Sequence, residues 1–205
     1  MMKTLLLGLS DTLARALSAC LRPARSLIPV LCRLWRLALL RSAVEGRVPV
    51  TTQFDGPIRI AGRPKITLGQ HCRLGREVFF ESGGQGRIVL DNNVRLNAGV
   101  VVVAHAEVKI ESDVLVGEYV SIRDADHAIQ PDQLIRFQDH VANPVSIGRG
   151  AWIGRGAAIL KGVHIGAGAV IGANSVVTSD IPENAIAVGV PARVLRYRDG
   201  SLPSP

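Results

Sequence analysis

Aromatic residues are rare in this sequence: eight of 205, or 4%. A core with so few rings must be aliphatic. Cysteine is rarer still, with only Cys20, Cys32 and Cys72. That odd, widely spaced set encodes no disulfide framework, suits a reducing compartment and offers no pair at metal-ligand spacing. The plain reading makes each a small buried apolar residue. Long apolar runs are also missing, and none approaches the roughly 18 residues of a transmembrane helix. Lys3 followed by Leu5, Leu6, Leu7 and Leu9 resembles the start of a signal peptide, and Leu17-Ser18-Ala19-Cys20 a lipoprotein cleavage box. Asp11 and Arg15 break that stretch early, so neither secretion nor spanning is expected.

Acidic charge is short in one place only. Residues 1–50 carry Lys3, Arg15, Arg22, Arg25, Arg33, Arg36, Arg41 and Arg47 against Asp11 and Glu45. The remaining 155 residues carry 16 basic and 15 acidic groups. Six of the seven net positive charges, and with them the pI of about 10.0, therefore belong to an N-terminal arm. No basic stripe with interleaved aromatics runs along the body, so a nucleic-acid partner is not expected. The arm reads as two helices, about 3–21 and 27–44, divided around Pro23, with Pro29 in a first turn where proline is tolerated. At 100° per residue, Arg25, Arg33, Arg36 and Arg41 fall within about 160° of one face. Leu31, Leu34, Trp35 and Ala38 lie mostly opposite, and Leu40 breaks the pattern. Such a helix can lie on an anionic membrane, or pack against the body or a neighbouring subunit.

Beyond the arm the chain is apolar (47% overall), modestly charged (20%) and rich in glycine (21 residues), which excludes a disordered or collagen-like protein. Its order is a repeat. Steps of six give Ile147, Ile153, Ile159, Ile165, Ile171 and Val177, with Gly148, Gly154, Gly166 and Gly172 in the next position and Leu160 and Thr178 as exceptions. Ala151, Ala157, Val163, Ala169 and Ser175 hold the fifth. The rhythm recurs with breaks at Leu68, Leu74 and Phe80, at Leu90, Leu96 and Val102, and at Ile110, Val116 and Ile122. Residues 82–86 read as a bulge or loop, and a longer loop separates Ile122 from Ile147. β-Branched residues flank the inward positions, as in Val100-Val101-Val102. A period of six excludes a helix of 3.6, and Gly166, Gly168 and Gly172 are repeat members outside any βαβ unit. Three six-residue sides close a triangular coil, so the body is a parallel β-helix with an aliphatic ladder inside.

From Asn143-Pro144-Val145-Ser146-Ile147-Gly148 to Gly189-Val190-Pro191-Ala192-Arg193-Val194 the chain resembles the hexapeptide-repeat acyltransferase family, on the side of its sugar and polysaccharide O-acetyltransferases. Ala151-Trp152-Ile153-Gly154 and Val176-Val177-Thr178-Ser179-Asp180-Ile181-Pro182 carry the likeness, which spans about residues 58–198. The resemblance implies a mostly β fold with a left-handed β-helix, a homotrimer with active sites between subunits, and acetyl-CoA as acyl donor without a metal. Zinc-dependent relatives of the same fold show two histidines five apart, a spacing that His105 and His127 lack. The expected domains are a helical arm at 1–50, a β-helix at 51–178 with a loop at 124–143, and a C-terminal extension at 179–205 that adds to the coenzyme A site.

Acyl transfer to a hydroxyl needs a base, and histidine suits that role at neutral pH. Among His71, His105, His127, His140 and His164, His127 in Asp124-Ala125-Asp126-His127 stands where the family's catalytic histidine stands, before the Trp-containing coil. Asp124, Asp126 or a backbone carbonyl can orient it. His140 is the rival, as a substrate contact or a solvated loop residue. The resemblance makes Asn97 and Asp126 acceptor-side candidates, with Asn97 equally readable as a turn residue. Trp152, Arg155, Ala173, Thr178, Arg193 and Arg196 become donor-side candidates, the last two as a guanidinium pair for phosphate. Ser179 departs from the lysine often found there. The expected reaction is O-acetylation of a sugar hydroxyl, of a surface polysaccharide or its lipid-linked precursor, at the cytoplasmic face of a membrane. A soluble acetyltransferase of a small sugar, serine or xenobiotic, and a non-catalytic β-helix scaffold, are the alternatives.

Overall fold

All fifteen positions counted in sixes, from Leu68 to Val177, point into one core at 0–1% exposure. A computed structural model describes residues 10, 13–19 and 27–203. Three sheets, parallel except for the last strand of the first, form the sides of a left-handed β-helix. The first has eight strands: Gln53–Phe54, Arg73–Leu74, Arg95–Leu96, Leu115–Val116, Trp152–Ile153, Val170–Ile171, Ala185–Gly189 and Ala192–Tyr197, in that order. The second has six: Ile58–Ala61, Val78–Ser82, Val101–Ala104, Ser121–Arg123, Ala158–Ile159 and Val176–Val177. The third has five: Lys65–Leu68, Arg87–Leu90, Glu107–Ile110, Val145–Ile147 and His164–Ile165. Each strand pairs with the one a coil later, so like positions stack and each buried Leu or Ile contributes about 1.5–3 kcal/mol.

The repeat has two conformational requirements. The residue after each inward aliphatic approaches the next coil, and a Cβ on Gly148 would lie 2.6 Å from the Ala167 nitrogen. The fourth position of the six turns the corner with positive φ, at His71, Asn93, Asp113, Tyr119 and Asn174 as well as at Gly150, Gly156 and Gly168. Coils are unequal in length. Leu68 pairs with Leu90, Leu90 with Ile110, and Ile147 with Ile165, so coils of 22 and 20 residues precede coils of 18. The extra residues fall at a single corner, between the second and third sheets. It holds the Ser82–Gly86 turn, then His105 and Ala106, then the loop expected at 124–143.

Chain segments outside the repeat extend a sheet at either end. Glu45 and Arg47 bond along Lys65–Leu68, and a Cβ on Gly46 would fall on the Ile66 carbonyl oxygen. At the far end Ala192–Tyr197 returns antiparallel on Ala185–Gly189. The helix Ile28–Ala43 matches the second expected helix, and residues 13–19 are helical. Apart from Ser10, which is helical, the rest of the expected helix 3–21, with Cys20, and also Arg22, Pro23 and Arg25, lie outside the described residues.

The chain divides into two units between Arg36 and Leu37, inside the helix, where the sequence reading places the boundary at 50. The reason is burial, because Leu37, Leu40, Val44 and Val48 belong to the β-helix core. Leu40 breaks the helix pattern for that reason. The far boundary, expected at 178, falls within the last coil, where Ile181 bridges to Ile165 and Ala185–Gly189 continues the first sheet. Cys72 is buried as expected, and burial pushes its thiol pKa up. Cys32 is exposed, contrary to the expectation that it is buried.

Candidate active site

The six-stranded sheet is flanked by two edges, and the expected site residues divide between them. Asn97, Glu118, Arg155 and Ala173 follow Leu96, Val116, Ile153 and Ile171 at successive corners of the edge shared with the eight-stranded sheet. Asn97 accepts from Arg95 Nε and donates to Glu118 Oε1, both at 3.0 Å. With Asp55, Arg76 and Arg95, Asn97 and Glu118 line a recess of about 250 Å³. The Arg155 guanidinium lies 5.9 Å from the centre of the Tyr119 ring, and Tyr119 covers Gly99. Trp152, 55% exposed, stands on the outer face of the eight-stranded sheet between Leu115 and Val170.

The other edge carries the histidine. Asp124 is fully buried, and its two oxygens accept the backbone N–H groups of His105 and Ala106, each at 2.7 Å. Anchored there, the chain leaves the coil as a hairpin of Ala125–His127 against His140–Ala142, with His127 directly opposite His140. Ala128 and Asn143 close it by bonding the Asp139 and Asp124 carbonyls. The Asp126 carboxylate pairs with Lys161 Nζ at 3.2 Å. Neither expected carboxylate therefore orients His127: Asp124 is committed to the backbone and Asp126 to Lys161. The His127 ring instead lies 4.3 Å from the His140 ring, centre to centre. His140 stacks in turn on His105 at 4.2 Å and 23°. Loss of water, then the His105 and His127 charges, hold the His140 pKa below the ordinary 6.5, with Asp139 and Glu81 pulling the other way.

Thr178 follows Val177 on this same edge, exposed, while Arg193 and Arg196 sit on the last strand. Three positions apart on a regular strand, those arginines would face opposite ways. A bulge between Ile186 and Ala187 corrects this: Arg193 pairs with Val188 and Arg196 with Ile186, which share one face. Arg193 Nη1 donates to the Ala192 carbonyl at 2.9 Å. His164 contacts the Ser146 hydroxyl at 2.6 Å on the exterior of the third sheet, away from both edges. Among the described residues no group of three or more His, Cys, Asp or Glu is arranged to hold a metal ion.

Residues 144–179 match the family described as bacterial transferase hexapeptide (six repeats). An Escherichia coli (strain K12) protein provisionally named a lipopolysaccharide biosynthesis O-acetyl transferase is 32% identical over 152 residues, covering 68% of this chain and 76% of that one. The chain belongs to the hexapeptide-repeat acyltransferase family. The galactoside O-acetyltransferase of E. coli (strain K12) is 35% identical over 130 residues, 63% of each chain, so this chain spans a little under two thirds of that relative. A hexapeptide-repeat acetyltransferase of Vibrio cholerae, solved with acetyl coenzyme A, superposes with a TM-score of 0.59 at 26% identity, covering 80% of this chain and 76% of that one.

Within this hexapeptide-repeat protein, one chain brings Arg155 and Ala173 together on one edge and His127, Asp126 and Thr178 on the other. The histidine column was missed by sequence reading. Its one available signal is that His127 and His140 are symmetrically placed about a loop midpoint, a pattern that means nothing until the hairpin is known.

Proposed function

We propose that the protein is an acetyl-CoA-dependent O-acetyltransferase acting on a sugar hydroxyl of a surface polysaccharide or its lipid-linked precursor. His127 serves as general base. The observation that carries the proposal is the placement of His127 on a hairpin anchored by the buried Asp124 carboxylate, with its imidazole exposed. The imidazole takes the proton of the acceptor hydroxyl as its oxygen attacks the thioester carbonyl. The tetrahedral adduct then expels the coenzyme A thiolate, which recovers that proton from the imidazolium. The names of the E. coli relatives support a sugar acceptor, and the V. cholerae complex supports the donor.

The assembly proposed is a homotrimer. A groove between two prisms is walled by one edge from each, so the Arg155 edge of one copy and the His127 edge of the next complete one site. Trp152 then flanks the acyl end, and Arg193 and Arg196 meet coenzyme A phosphates. Localisation is proposed at the cytoplasmic face of a membrane. Leu31, Leu34 and Trp35 are exposed on the basic helical arm, and among the described residues no helix is long and apolar enough to cross. Flotation of the full chain on anionic vesicles, with loss on Trp35→Glu, supports that placement, and equal flotation refutes it.

The function is tested by screening acceptors with acetyl-CoA and following thiol release. A sugar acceptor should give turnover, and His127→Ala should lower it by about 10²–10⁴-fold with unchanged circular dichroism. Full turnover by that variant removes His127 from the role. Mixing inactive His127→Ala and Arg155→Glu chains should restore up to about a quarter of wild-type activity if sites lie between copies. No restoration places the whole site within one chain.

A further inference from the structure

We propose that His140 is a positioning residue for His127, held between it and His105 in a three-ring column that fixes the angle of the base. The inference rests on the base reading of His127 and adds a residue to it. Three observations build the column. Its foot is His105, whose backbone N–H is tied to the buried Asp124 carboxylate. The coil below leaves room for that ring, because a Cβ on Gly83 would lie 2.7 Å from His105 Cε1. His140 then stacks on His105 at 4.2 Å, and His127 lies across the hairpin from His140 at 4.3 Å.

An exposed histidine on a free loop samples several rotamers, and a base must be aligned to within a fraction of an ångström. The column supplies that alignment from one side. The Lys161–Asp126 ion pair ties down the residue next to His127. The groups facing His140 are His105, His127, Asp139 and Glu81. A neutral middle ring lets its neighbours stack without like-charge repulsion, which agrees with the lowered His140 pKa.

The test compares His140→Ala with His140→Phe, by kinetics and by histidine-ring NMR. Alanine removes the plane, so kcat should fall about 10-fold or more with the KM for acetyl-CoA within about twofold. The His127 ring resonances should move towards free imidazole as the ring current is lost. Phenylalanine keeps the plane without the titrating group and should recover kcat to within about threefold. Equal loss in both variants would make His140 a proton carrier and overturn the positioning role. Unmoved His127 resonances in His140→Ala would show that the rings do not stack in solution and also overturn it. The NMR result does not depend on turnover, so a failure of the base assignment, seen as an active His127→Ala, is distinguished from a failure of the column.

Discussion

The two edges of the six-stranded sheet are built by different rules. The edge with Asn97, Glu118, Arg155 and Ala173 repeats one corner coil after coil, and its backbone hydrogen bonds and inward aliphatics would hold it with many outward residues. The edge with Gly83, His105, Asp124 and His127 takes every insertion, and side chains hold it: a carboxylate on two N–H groups, a column of three rings and an ion pair. A regular edge makes a wall along which an extended donor can lie. An irregular edge can lift a single side chain, here the His127 imidazole, out of the repeat. The difference separates stability from turnover, and substitutions on either side should pull the two apart.

The largest effect on stability is expected within the repeat. Ile159 is fully buried in the six-stranded sheet between Ile122 and Val177. Ile159→Ala should cost about 2–5 kcal/mol, read as a lowered midpoint in urea. Turnover per folded molecule should be nearly unchanged, because the side chain is buried in the core and not among the exposed groups of either edge. A large loss of kcat at full folding would mean that the ladder itself positions the base.

Asp124→Ala should have the intermediate effect. It strands the N–H groups of His105 and Ala106, which should cost about 1–3 kcal/mol. It also releases the root of the hairpin, so turnover should fall more steeply than stability. Equal losses on the two scales would show that the hairpin is only part of the scaffold.

The same division explains what could be read from the sequence. The ladder was legible because a period of six admits one geometry, and each of Leu68, Leu74 and Ile147 to Val177 points inward as counted. The second-position glycines were legible as small residues. The positive-φ corners were not, because His71, Asn93 and Tyr119 disguise a position that glycine fills later. His127 was singled out as the candidate base through its place at the end of a coil. Its partners were not, since the antiparallel register that pairs it with His140 is set by the loop, and the Asp124 bonds span 18 and 19 residues without any periodicity. Arg193 and Arg196 were legible as a pair, but the bulge that turns them to one face was not.

The smallest expected effect tests the second tether. Lys161 and Asp126 are partly exposed, and such pairs contribute at most about 1 kcal/mol. Lys161→Ala should therefore leave the unfolding midpoint almost unmoved. Its consequence should be local, a severalfold fall in kcat that deepens at low pH. The sign follows from His140. Its folded pKa lies below the ordinary 6.5, so as pH falls below 6.5 the unfolded chain takes up a proton that the folded column resists. Stability contributed by the column is present above that pH and drains away below it, until folded His140 is itself protonated. With Lys161 in place the ion pair still holds the hairpin through that window, and without it the column is the remaining side-chain tether beyond Asp124. A pH profile of kcat that is parallel in Lys161→Ala and wild type would show that ion pair and column do not share the load.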